Sequence, residues 1–183
     1  MEKDKMKMYS FRDECLFILL VFSFGGIFGF LYEELFYYID LGYLVKRGTT
    51  FGPWIPIYGV GAVLIVLSTY RLLRYPAAVF AVSALICGLL ELATGYFLLH
   101  FCNVRLWDYN TEIWNWGNVG GFICGRSVLF FGASALFLQY MVCPGFRWLR
   151  DHCSRNAYLL VSVIPASLFA LDIAVSRIFQ RIP

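Results

Sequence analysis

Four charged side chains stand where charge is expensive. Glu33, Glu91, Arg126 and Asp172 each fall inside a long apolar run. An ionisable group in a membrane-length apolar segment marks a functional candidate, because the bilayer penalises it unless it is paired or faces a polar cavity. Carboxyls in such a place can carry a proton or bind a cation, and a guanidinium can balance them or hold an anionic group. Burial raises a carboxyl's pKa and an opposite charge lowers it, so the number of cations around the acids decides the chemistry. Neighbours on a helix point about 100° apart, so Glu33 and Glu34 cannot share a face. Gly25, Gly29 and Glu33 do share one at steps of four, which turns Glu33 toward close helix neighbours and Glu34 toward the interface. Ala84, Gly88, Glu91 and Gly95 form a similar stripe, with Thr94 beside it.

The composition requires a membrane solvent. The 183 residues are 60% hydrophobic and only 15% charged, against roughly a quarter charged in soluble domains. The net charge of +3 is too small and too scattered for a nucleic-acid partner. The expected fold is an all-α polytopic transmembrane helix bundle. It has a cytoplasmic N-terminal segment, 1–12, and a transmembrane domain, 13–183. About five spans are expected, near 15–39, 57–73, 77–101, 120–142 and 157–179, each close to the roughly 20 residues that cross a bilayer. Cys143-Pro144-Gly145 is expected to end the fourth, with a basic loop to Asn156.

With the N-terminus inside, the inner segments carry Lys3, Lys5, Lys7, Arg12, Arg71, Arg74, Arg147, Arg150 and Arg155. The outer ones carry Lys46, Arg47, Arg105, Arg177 and Arg181. That asymmetry favours a cytoplasmic N-terminus in the plasma membrane. In this topology Glu33, Glu91, Arg126 and Asp172 lie in the outer halves of their spans. They suggest one polar site, three acids around one Arg. The bland reading stands beside it: an Arg126–Glu33 or Arg126–Glu91 pair that only fixes helix register. Glu34 and Arg177 read as interfacial snorkelling charges.

One segment interrupts the apolar pattern. Gly52-Pro53-Trp54-Ile55-Pro56-Ile57-Tyr58-Gly59-Val60-Gly61 holds two prolines that remove backbone donors. Its glycines let another backbone approach closely. It reads as irregular chain dipping into the membrane and feeding a helix that starts near Pro56, where proline suits the first turn. Such backbone is tolerated at depth only under protein or beside a wet cavity. Trp54, Trp107, Trp114, Trp116 and Tyr109 read either as an interfacial belt or as rings that stack on a ligand. The six cysteines and two histidines show no metal-ligand spacing, so no metal or cofactor is expected. Cys102 and Cys124 flank one loop and are the pair close enough in order for a disulfide.

Several short patterns occur in a fixed order: Gly29-Phe30-Leu31-Tyr32-Glu33, then Gly48 and Gly52 to Gly61, Glu91-x-x-Thr94-Gly95, Trp107-Asp108-Tyr109-Asn110, and Asn118-x-x-Gly121-x-Ile123-Cys124. Together they resemble the bacterial family of small multi-pass proteins labelled putative ABC transporter permease, type IV (CmpB-like), over roughly Gly25 to Gly132. Phe30 and Asn110 depart from the family pattern, which has Trp and often Ser there. The resemblance implies a permease or transport subunit. The chain has no G-x-x-x-x-G-K-[ST] motif, so any ATPase is a separate chain. A homodimer is the other partner expected, beside the bilayer. The substrate or ion site is expected from Glu33, Glu91, Arg126, Asp108, Trp107, Tyr109, Tyr58 and Asp172. Gly29, Gly52, Pro53, Pro56, Gly59, Gly61 and Gly95 are expected to be structural. Two other classes stay open: a membrane-embedded enzyme on a lipid-linked substrate, with Asp108 or Glu33 as base, and a non-catalytic assembly or sensor protein.

Overall fold

A computed structural model describes residues 10–179. The expected segment 1–12 lies mostly outside them. The described chain is helical: α1 Phe11–Leu41, α2 Pro56–Thr69, α3 Pro76–Cys102, α4 Gly125–Phe137, a π-helical turn Leu138–Val142, α5 Cys143–His152 and α6 Arg155–Phe179. Among the described residues, four helices are long and apolar enough to cross a membrane: Phe11–Leu41, Pro76–Cys102, Gly125–His152 and Arg155–Ile178. This is a membrane protein built as a helical bundle.

The expected second span differs from this. α2 has 14 residues, short of a full crossing. Its N-terminus begins deep in the bundle, because Ile55 N–H bonds Gly26 O in the middle of α1 at 3.0 Å. Gly26 is 15 residues from the end of α1, or about 22 Å along the axis at the usual helical rise. Residues 42–55 therefore descend that distance as irregular chain before α2 carries on. α6 runs parallel to α1. Tyr158 packs with Leu16 and Leu20 near the start of α1, and Phe169 with Phe22 further along. Residues 10 and 179 therefore lie at opposite ends of the bundle.

Local rules explain the helix limits. Pro56 and Pro76 open α2 and α3 with their missing N–H groups in the first turn, where no intrahelical acceptor exists. Gly42, at φ +80°, closes α1, and its N–H returns to Tyr38 O. The stripe on α1 works as packing surface. A methyl on Gly25 would stand 2.5 Å from Ala62 Cβ, and one on Gly59 2.8 Å from Phe22 O. Gly29 faces the Tyr58 ring, and Gly95 faces Phe122 and Trp107. Gly61 is less constrained, with Cys87 Sγ at 3.6 Å from such a methyl.

The fourth long helix also departs from expectation at both ends. It begins at Gly125 because Gly120 and Gly121 are left-handed, at φ +62° and +79°. It passes through Pro144 because the π-turn shifts the hydrogen-bond register: Cys143 N–H reaches back to Leu138 O. Pro144, with no donor to give, follows at the start of α5, where a new run of bonds begins. The π-turn has packing partners. Gln139 Nε2 donates to Thr69 Oγ1 at 2.7 Å, and the Tyr140 hydroxyl to Leu73 O at 2.9 Å. The basic stretch expected as a loop is mostly α5. Cys102 is exposed and Cys124 buried, both as free thiols, so the pairing considered from sequence does not form.

Candidate functional site

The connection from 103 to 124 folds back over the open end of α1, α3 and α4. Its two patterned stretches are tied to each other. Tyr109 N–H bonds Gly121 O, Asn118 Nδ2 donates to Asn110 Oδ1 at 2.8 Å, and Trp107 Nε1 donates to Phe122 O at 3.0 Å. Ile113 N–H docks the loop on Asp40, at the end of α1. This lid inserts Trp107, Tyr109 and Glu112 among the helices.

Beneath it is a cavity of about 90 Å³. Its deep end is aromatic, with Phe24, Phe28, Phe130 and Phe137. Its upper end is lined by Glu33, Glu91, Glu112, Arg47, Arg126 and Tyr58. Glu33, Glu91 and Arg126 therefore do meet at one cavity, together with Tyr58, Trp107 and Tyr109. Their pairing differs from expectation. Glu33 Oε2 accepts from Arg47 Nε at 3.0 Å, and the Arg47 backbone N–H bonds Glu34. Arg126 pairs with Glu112 at 2.5 Å and lies over the Phe36 ring at 3.6 Å. The Tyr37 hydroxyl donates to the same Glu112 carboxyl. Neither Arg126–Glu33 nor Arg126–Glu91 forms.

Glu91 stands apart from both pairs. Its carboxyl accepts from the Tyr109 hydroxyl at 2.5 Å and lies 2.9 Å from the Ser127 hydroxyl. Burial, with Glu91 alongside, holds the Tyr109 phenol well above its usual pKa, so it remains the donor. Among the described residues, Glu91 is ion-paired with no cation. The cavity thus holds three carboxyls, Glu33, Glu91 and Glu112, against two guanidiniums, Arg47 and Arg126.

Asp108 and Asp172 are elsewhere. Asp108 pairs with Arg105 at 2.7 Å and accepts from Asn110, within the lid. That removes it from the cavity as a base. Asp172 accepts from Phe51 N–H at 3.0 Å, and from Gly52 N–H and Trp54 Nε1, each at 2.6 Å. It anchors the irregular segment to α6. Arg47 and Glu112 were not among the expected site residues. Both come from connections, where no periodicity shows which way a side chain turns.

A second cavity, of about 400 Å³, lies beside the first. Glu33, Arg47, Ile57, Leu90 and Trp107 line both, so these five side chains form the partition.

A family model described as putative ABC-transporter type IV matches residues 20–177. Comparison with curated proteins and with solved structures finds no match.

Proposed function

Because the chain belongs to the putative ABC-transporter type IV family, we propose that it is a permease subunit in which Glu91 takes up a proton or cation inside the buried cavity. One observation carries this reading. Glu91 is a deeply buried carboxyl, 7% exposed, whose bonds come from neutral hydroxyls while its neighbours are paired with arginines. A carboxyl at that depth must be neutralised. A mobile proton or cation supplies the missing charge and leaves when the site opens. The Glu33–Arg47 pair is the movable part of the partition, because Arg47 sits on the irregular connection and Glu33 on a rigid helix. The basic residues assigned above support a plasma-membrane protein with its N-terminus in the cytoplasm. The ATPase is then a separate subunit on that side, where α5 presents Arg147, Trp148 and His152.

The test is Glu91→Gln in proteoliposomes, with proton and sodium flux followed in parallel. The amide keeps the shape and one acceptor for Tyr109, so the protein stays folded. Loss of an ionisable group at the carrying site is expected to lower flux at least about a hundredfold, the lower end of the range for removing an essential proton-transfer group. Wild-type flux of both ions in a folded variant would remove Glu91 from the mechanism.

The partition makes its own prediction. Cys87 lines the inner cavity and is 4% exposed. In a background with the other cysteines changed to Ser, a charged maleimide is expected to label Cys87 slowly. Glu33→Gln weakens the partition and is expected to speed labelling about tenfold, equivalent to about 1.4 kcal/mol off the opening. Unchanged labelling would show that the pair does not limit access.

A further inference from the structure

The second cavity is unlike the first. It opens between α2, α3 and the end of α6, where α2 begins too deep to fill the space above it. Val60, Leu90, Leu98 and Leu106 give it apolar walls, and Lys46, Arg47 and Arg177 bring three cations to it. Glu33 is the one acid in the lining, and Arg47 already pairs with it. Among the described residues, neither Lys46 nor Arg177 has a carboxylate partner. Lys46 lies over the Phe51 ring at 5.4 Å, and Arg177 is exposed on the last turn of α6. Val60 and Leu106 are each 42% exposed, apolar surface left open along the cleft.

We propose that this cleft is a binding site for an anionic membrane lipid, with its phosphodiester headgroup between Lys46 and Arg177 and one acyl chain along Val60, Leu98 and Leu106. Charge complementarity selects the occupant. Two cations with no carboxylate partner among the described residues, at the head of an apolar groove, match a negative headgroup above a hydrocarbon chain, and a zwitterionic lipid cancels that attraction with its own cation. The volume is within the roughly 300–1,000 Å³ of ordinary ligand sites. The site also touches the partition through Glu33, Arg47 and Trp107, so an occupied cleft bears on the same side chains that separate the inner cavity. The proposal does not require the transport reading, and its test uses no flux.

The experiment uses the purified full chain in a neutral detergent, with native mass spectrometry and thermal unfolding as readouts. Phosphatidylglycerol and phosphatidylcholine with identical acyl chains are compared, and glycerol phosphate serves as a soluble phosphate without acyl chains. One bound phosphatidylglycerol and a raised melting temperature are expected, with no comparable effect of phosphatidylcholine or glycerol phosphate. Lys46→Gln with Arg177→Gln is expected to weaken phosphatidylglycerol binding at least about tenfold, since each basic residue near a headgroup contributes about 1 kcal/mol, or about fivefold. Leu106→Trp fills the groove without touching the charges and is expected to weaken it too, which keeps the test sound if the double variant folds poorly. Equal binding of both lipids, equal binding by glycerol phosphate alone, or phosphatidylglycerol binding unchanged in both variants would each overturn the proposal.

Discussion

Arg126→Gln is expected to lower stability by about 3–5 kcal/mol, the range for breaking a buried ion pair by removing one partner. The side chains of Arg126 and Glu112 are 13% and 5% exposed. The guanidinium holds three elements together: it starts on the first turn of α4, pairs with Glu112 of the lid and stacks on Phe36 of α1. Without it, the Glu112 carboxyl keeps the Tyr37 hydroxyl alone among its close side-chain partners. A carboxylate in that position must either stay charged with little compensation or take up a proton. Both raise the energy of the folded state. Glu112→Gln removes the charge from the other side and leaves the Arg126 cation buried. The double variant removes both charges and keeps polar groups that can bond each other and Tyr37. It is expected to recover at least about 2 kcal/mol of the summed losses, a coupling energy within the range for residues in contact. Unfolding of the four proteins in one detergent supplies the cycle. Strict additivity would show that the two side chains stabilise the bundle independently.

The identities of these partners mark the boundary of what the sequence makes legible. Apolar length predicted five spans, of which four are long helices and the second, α2, falls short, and proline chemistry predicted that α2 starts near Pro56. The four-residue stripe predicted that Glu33 turns inward, and Gly25 and Gly29 do pack on α2 while Glu33 lines the cavity. Helical periodicity carries that information because it fixes the direction of every side chain on a span. It carries none for Arg47 or Glu112, each in an irregular connection, so the cations and acids were matched span to span when the true partners come from loops. The same limit explains Pro144. Proline usually ends a helix, and only the shifted bonding of the π-turn, set by Gln139 and Tyr140 against α2 and the turn after it, lets this one continue. Asp172 was legible as an intramembrane charge, but it is held mainly by two backbone N–H groups and the Trp54 indole of an irregular segment, and backbone donors leave no mark in a residue pattern.

Those backbone groups make Asp172→Ala the variant with the most local damage. Between Phe51 and Pro56 each backbone donor is bonded or missing by chemistry. Phe51 and Gly52 donate to Asp172, Trp54 to Gly52 O, and Ile55 to Gly26 O, while Pro53 and Pro56 have no N–H. That arrangement satisfies the bilayer's demand that irregular chain leave no donor unpaired. The two prolines are part of it, since each deletes a donor that would otherwise need an acceptor. Alanine at 172 removes the acceptor of Phe51 N–H, Gly52 N–H and Trp54 Nε1 together. Each orphaned donor costs about 1–3 kcal/mol, so the irregular segment is expected to leave its place on α6 while the long helices persist. Amide exchange at residues 50–55 is expected to speed up at least about a hundredfold, an opening made roughly 2.7 kcal/mol easier. Exchange in the middle of α1 and α3 is expected to stay slow. Asp172→Asn separates geometry from charge, because its amide keeps one oxygen for two of the donors but turns an N–H₂ toward the third. Its exchange is expected to fall between wild type and Asp172→Ala. Wild-type exchange in the alanine variant would mean that the segment is held from the α1 and α2 side, through Ile55 and Gly26, and that α6 only covers it.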